Sequence, residues 1–399
     1  MDNRFTGTRV LAHTVGQGRI ALGRRLGLCA AVVALVGGLT VAGTLVAPAA
    51  DARQTRDVMQ QNLDSLVRDD GFPGALAAVR DRSGRVREYT AGVGDLATRA
   101  AVPLDGYVRI GSNTKTFTSV VVLQLVGEGK VDLDQPIETY LPGLVRGDGI
   151  DGHHITVRQL LQHTSGLPNY TAIFASGYLP YRHTYVEPRQ LLDLALAGKA
   201  DFPPGAKFEY SNTNYVLAGL LIEKITGRPV AEEITNRVLN KLGLHHTYFP
   251  NVGDQGIRAP HPNGYHRDDP TKPLTDVTVA DPSFGWAAGA MISTPTDLNR
   301  FFTALLSGRL LQPAQLKQMR TTIDAPDFGP GVRYGLGLAS TPLSCGGLSW
   351  GHGGDFPGYS TTNAVTDDGR AATITVTELV TALPQLQRLQ ADIDTALCR

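Results

Sequence analysis

The chain has 399 residues with 37 basic and 37 acidic side chains, so its formal charge at neutral pH is zero. That balance argues against nucleic acid or another polyanion as partner, because such partners are held by a marked excess of lysine and arginine. The 45 glycines and 24 prolines indicate a loop-rich globular protein, long enough for one large core or for two lobes sharing a cleft.

The first fifty residues read as an export signal. Arg4, Arg9, Arg19, Arg24 and Arg25 make a basic stretch, and residues 26–47 then run without a charge. Ala47-Pro48-Ala49 and Ala50-Asp51-Ala52 both offer small-x-small cleavage sites. The apolar run is longer than a usual signal core, so an uncleaved membrane anchor is the competing reading, and Arg24-Arg25 leaves twin-arginine export open. Either way the remaining domain, residues 51–399, is expected outside the cytoplasm. Cys29 falls in the signal, which leaves Cys345 and Cys398 as an expected disulfide, worth roughly 4 kcal/mol in the loop-entropy model.

The mature part opens with a helix at about 55–68 and two strands, 75–80 and 86–91, joined across Asp81-Arg82-Ser83-Gly84. A helix begins near Ser112, burying one face through Val121, Val122, Leu125 and Val126, and ends near Gly127–Gly129. Helical spacing recurs at 157–163, 188–197, 215–226 and 230–239, with Gly227 and Gly243 as stops. A loop-rich stretch runs from about 251 to 285, followed by a helix at about 296–306. Strands return at 336–339, 347–351, 361–365 and 373–377, and a final helix covers 383–397. Strands near both ends with helices between predict an α+β fold. One antiparallel sheet, about 51–110 and 286–399, would be flanked by terminal helices, with a helical lobe at about 111–285 inserted.

Three groups of residues carry chemistry. Ser112 and Lys115 are three apart at a helix start, so the two side chains share a face. A serine hydroxyl becomes nucleophilic when a desolvated lysine takes its proton, and free N–H groups at the helix start favour developing negative charge. S-x-x-K alone is common, so it needs partners. Tyr210 and Asn212, two apart on a loop, can point into one cleft. There a phenol whose pKa is lowered beside Lys115 would act as general base, and the amide would hold a substrate carbonyl. Trp350-Gly351-His352-Gly353-Gly354-Asp355 places a histidine at a strand end before two glycines. The N–H of Asp355 would join that of Ser112 as an oxyanion hole.

Gly347-Leu348-Ser349-Trp350-Gly351 also fits the G-x-S-x-G nucleophile elbow, but glycines and a proline follow where that motif needs a helix, and no histidine lies downstream of His352. His153-His154 and His245-His246 are adjacent pairs without metal-ligand spacing, and no metal or cofactor is expected.

Together, Ser112-x-x-Lys115, Tyr210-x-Asn212 and His352-x-Gly354 resemble the three ordered motifs of the penicillin-recognising serine enzymes, nearest the class C β-lactamases and secreted D-Ala-D-Ala carboxypeptidases. Leu160 to Leu167, Tyr210 to Tyr215, Gly289 to Thr294 and Tyr334 to Leu338 extend the resemblance over nearly all of residues 54–399. It implies acyl transfer through Ser112, proton transfers shared by Lys115 and Tyr210, and a substrate-binding set of Asn212, His352, Gly353, Gly354, Asp355 and Phe284. The implied substrates are cell-wall-like peptides, β-lactams or esters; an esterase, a D-aminopeptidase or an inactive binding protein of the same fold are the alternatives. His352 stands where many relatives carry lysine, replacing a fixed charge by a group expected to titrate near neutrality, and Asp355 stands where a hydroxyl is usual. Substrates ending in a free carboxylate are therefore expected to be poor, improving as pH falls.

Overall fold

The computed structural model describes residues 57–399; the expected export segment lies outside the described residues. Nine strands form one sheet: β1 (Gly74–Arg80), β2 (Val86–Gly92), β3 (Ile323–Asp324), β4 (Arg333–Tyr334), β5 (Ala339–Pro342), β6 (Leu348–Gly351), β7 (Gly354–Phe356), β8 (Tyr359–Thr366) and β9 (Ala371–Val376). The order is β2-β1-β9-β8-β6-β5-β4-β3, with β7 paired to β8, and every pairing is antiparallel. The first and last strands of this sheet in chain order therefore pair, second and third from one edge, with Ala75 opposite Val376.

Period-two alternation sends side chains to two separate cores. Ala75 and Ala77 of β1, with Ala372, Ile374 and Val376 of β9, pack under α1 (Val58–Arg68) and the closing helix, through Leu63, Leu66, Leu389 and Ile393. Leu76, Val365 and Ala371 face the other way, into the larger core. That core is built around α2 (Thr114–Gly127), α3 (Thr213–Thr226), the short α4 (Trp286–Gly289) and α5 (Pro295–Leu306). The closing helix is α6 (Leu383–Leu397).

The helix after Ser112 departs from the one-sided expectation. Every residue from Thr114 to Leu123 is buried, so α2 is a central rod rather than an amphipathic cover. The strand expected at 336–339 also fails: Leu336 and Leu338 are buried in a loop, and the strand runs from Ala339 to Pro342. Gly337 is the cause. Its φ of +74 breaks an extended run, and a Cβ there would lie 2.1 Å from Ser119 Oγ on α2. The sulfurs of Cys345 and Cys398 lie 2.03 Å apart, between the β5–β6 turn and the end of α6.

On α6, Asp392 is buried and its Oδ2 has no hydrogen-bond partner. Burial pushes its carboxyl up to about 6, against the pull of Arg388 and with a further push from Asp70. The folded value exceeds the unfolded one, so this group's contribution is complete below the unfolded pKa and is lost as pH rises through about 6. Asp392→Asn is therefore expected to add roughly 2 kcal/mol to urea-unfolding stability at pH 8 and little at pH 4.

Candidate active site

Ser112 lies in a single 3₁₀ turn, Gly111–Asn113, that feeds directly into α2. Gly111 has φ +47, and a Cβ on it would lie 2.3 Å from the carbonyl oxygen of Asp355, so only glycine lets β7 come this close to the turn. One helical turn on, Lys115 is fully buried. Its Nζ is 2.9 Å from Ser112 Oγ, 2.7 Å from Asn212 Oδ1 and 2.8 Å from the carbonyl oxygen of Ala288 at the end of α4. Among the described residues no carboxylate pairs with it, and burial drives its pKa well below the ordinary value. A neutral amine has two N–H groups and one lone pair. Asn212 and Ala288 offer only acceptors, so they take the two N–H groups and the lone pair is left facing the Ser112 hydroxyl.

Tyr210 differs from the sequence expectation. Burial pushes its phenol well above the ordinary value, although the nearby Ser112 hydroxyl pulls the other way. The Oη is buried without a hydrogen bond of good geometry. At rest the Tyr210 phenol thus holds its proton tightly, and Lys115 is the group whose pKa is lowered. Lys115 Nζ stands 4.9 Å from the Tyr210 ring centroid. Asn212 also plays a different part. Its Oδ1 accepts from Lys115 and its Nδ2 donates to Asn169 Oδ1 at 3.3 Å, so the amide holds the lysine instead of reaching for substrate.

His352 is buried, with Nδ1 2.6 Å from the carbonyl oxygen of Gly353 and Nε2 2.8 Å from Tyr334 Oη. These partners place the proton on Nδ1 and leave Nε2 to accept from the tyrosine. Burial, with the nearby Lys115, holds its pKa down at about 3. The expected titration near neutrality is therefore wrong: the ring stays uncharged across the working range.

Gly354, Asp355 and Phe356 form β7, joined to β8 by a two-residue turn that pairs Phe356 with Tyr359. In such a hairpin the pair next to the turn exchanges hydrogen bonds and the following pair, Asp355 with Ser360, does not. The N–H and C=O of Asp355 consequently turn away from β8, toward Gly111 and Ser112. The Asp355 carboxyl is open to solvent at the cleft yet surrounded by protein, which pushes its pKa up. Phe284 stands behind this strand, its ring 4.9 Å from that of Phe356. It is not among the residues lining the cavity beside Ser112.

That cavity, about 850 Å³, runs from Ser112 and Tyr210 past Phe328 and His352–Asp355 and along α6 as far as Asp394. Among the described residues lining it there is no lysine or arginine, while Asp327, Asp355 and Asp394 are present. Arg333 on β4 is held by Thr322 and Asp324. Ser349 lies within β6, its hydroxyl donating to the carbonyl oxygen of Thr341 at 3.3 Å, so the elbow reading is excluded.

Sequence reasoning missed the supports. His163 is buried with φ +58; its Nδ1 accepts from the backbone N–H of Ser211 at 3.2 Å and Asn214 Nδ2 at 3.0 Å, and its ring lies 4.2 Å from that of Tyr210. The only signal for it was its place in the run Leu160 to Leu167. Asn169, Ala288 and Asn363 carried none.

Comparison with known proteins agrees with this fold. The family model described as Beta-lactamase matches residues 59–395. A D-stereospecific amidohydrolase from Streptomyces sp. is 42% identical with a TM-score of 0.77, covering 84% of this chain and 97% of that one. The D-amino acid amidase of Ochrobactrum anthropi SV3, solved with L-phenylalanine amide, is 27% identical with a TM-score of 0.75, over 85% and 96%. A putative penicillin-binding protein, PbpX of Bacillus subtilis (strain 168), is 25% identical over 66% of this chain and 60% of its own length. The match to Protein flp of Staphylococcus aureus spans only 39% of that protein, so the chain covers less than two thirds of these curated relatives. The chain belongs to the Beta-lactamase family, with the serine hydrolase fold that this family shares with penicillin-binding protein homologues.

Proposed function

We propose that the protein is a serine amidohydrolase acting through an acyl-enzyme on Ser112, with small amides and esters of D-amino acids or short D-peptides as substrates. The observation that carries the reading is the buried, unpaired Lys115 with its Nζ 2.9 Å from Ser112 Oγ. The neutral amine takes the hydroxyl proton as Oγ attacks the carbonyl carbon. The resulting ammonium keeps the same three neighbours, now all acceptors, and gains the Tyr210 ring beneath it. The N–H groups of Ser112 and Asp355 take the oxyanion. The protonated Tyr210 hydroxyl gives its proton to the leaving nitrogen and regains one from Lys115, and water then releases the acyl group by the reverse path.

Substrate class rests on charge. With His352 neutral and no cation lining the cavity, nothing holds a free carboxylate, which argues for amides and esters over the carboxypeptidase reading. Preference for the D configuration is supported by the amidohydrolase and amidase relatives. An extracytoplasmic location is supported by the closeness of Cys345 and Cys398, which suits an oxidising compartment.

The test is kcat/KM for D- and L-phenylalanine amide, and for a D-Ala-D-Ala peptide beside its C-terminal amide, at pH 8 and 6. The expected result is a preference of at least about tenfold, or ~1.4 kcal/mol, for D over L and for the amide over the acid. Because His352 does not titrate here, the amide-to-acid ratio should hold steady between the two pH values. Preference for the free acid at pH 8 would place the protein among carboxypeptidases instead.

A further inference from the structure

We propose that Asn363, on β8, is a positioning residue that sets the spacing of the two oxyanion donors. Resting on the reading of Ser112 as nucleophile, the inference goes beyond it by naming what fixes the distance between the nucleophile turn and the opposite wall. Asn363 is buried, and every polar atom of its amide is used. Nδ2 donates to the carbonyl oxygen of His352 at 2.7 Å and to Asn113 Oδ1, while Oδ1 accepts from the N–H of His352 at 3.3 Å. Asn113 directly follows Ser112 and is itself buried, with Nδ2 donating 3.1 Å to the carbonyl oxygen of Ile110. One side chain thus grips the turn carrying Ser112 at one end and both backbone groups of His352 at the other.

The contact it closes is tight. A Cβ on Gly354 would lie 2.0 Å from the carbonyl oxygen of Ile110 and 2.5 Å from Asn113 Nδ2. The strand leading to Asp355 is therefore pressed against the backbone and the Asn113 amide of the turn carrying Ser112. β6 and β7 leave one edge of β8 unpaired between them: the ladder covers Ser349 and Trp350, then resumes at Gly354, while the other edge stays paired with β9. Asn363 sits opposite that gap and replaces the missing ladder bonds with its amide. Without it, His352 and Gly353 are free to drift, and the Asp355 N–H drifts with them. An oxyanion donor displaced from its place loses much of the two to three orders of magnitude that one donor supplies.

The test uses 4-nitrophenyl acetate, an ester any acylating serine would accept, with folding checked by circular dichroism. Asn363→Ala is expected to lower kcat by about 30-fold or more while KM changes less than about threefold. Its affinity for phenylboronic acid, which forms a tetrahedral adduct on the serine, should weaken by a similar factor. Asn113→Ala should give the same pattern, and the double variant should be no worse than the poorer single one, because the two act as one clasp. Should Asn363→Ala not fold, Asn113→Ala carries the same split between kcat and KM. A folded Asn363→Ala or Asn113→Ala with unchanged kcat, or losses that fall on KM or add in the double variant, would overturn the proposal. Failure of the underlying reading looks different: Ser112→Ala would then retain wild-type activity on the same ester.

Discussion

Ser112→Ala is expected to remove hydrolysis of D-amino acid amides and simple esters, by at least about 10⁴ in kcat, while leaving the fold intact. The loss is large because, among the described residues, Ser112 has the only hydroxyl hydrogen-bonded to the Lys115 amine. Ser349, the other serine in a suggestive motif, is fixed in β6 and bonded to Thr341. The structural cost is small because the Ser112 hydroxyl is half-buried and makes one hydrogen bond, to Lys115, so roughly 1 kcal/mol is at stake. Thermal unfolding of the variant beside its activity separates the two effects.

Lys115→Met is expected to cost about 10³ or more in kcat, with Tyr210→Phe close behind and the double variant little worse than Lys115→Met alone. In the proposed mechanism the lysine supplies the lone pair and the phenol relays the proton, so removing either breaks one chain of transfers. The pH profile follows from the directions of the shifts. Lys115 must be neutral to act, so kcat/KM should rise with pH through the folded-state pKa of Lys115, which burial holds far below its ordinary value of 10.5. No further limb should come from His352 above about pH 3. Stability carries the same signature. Between the folded and unfolded values of Lys115 the unfolded chain binds the extra proton, so folding stability should rise with pH across that window. In Lys115→Met that slope should be absent, as unfolding free energies measured at pH 7, 8 and 9 would reveal.

The sequence made the candidate site motifs and the fold class legible because each has a local signature. Alternation marked β1, β2 and β9, and glycine marked the stops of α3 and of the helical stretch that follows it. Ser112, Lys115, Tyr210 and His352 stood in short motifs that survive without tertiary knowledge. What was lost depends on burial. The pKa directions of Tyr210 and His352 were misjudged because a sequence shows a titratable group's chemistry and not its desolvation, and in both cases burial outweighs the nearest partner. Asn212 was assigned to the substrate because its bond to Lys115 joins residues 97 apart in the chain. Asn363, 250 residues from its partner Asn113, left no trace in any local pattern. The misplaced strand at Leu336 came from hydrophobic spacing that serves loop burial against α2 as well as it serves a strand.

The most direct test of the central claim is to quench the protein within its first turnovers of a D-phenylalanine ester in acid, weigh it intact, and map the digest. A phenylalanyl adduct on the peptide containing Ser112, absent from Ser112→Ala, is the predicted result. An adduct on Ser349 or any other residue, or full turnover by Ser112→Ala, would place the nucleophile elsewhere.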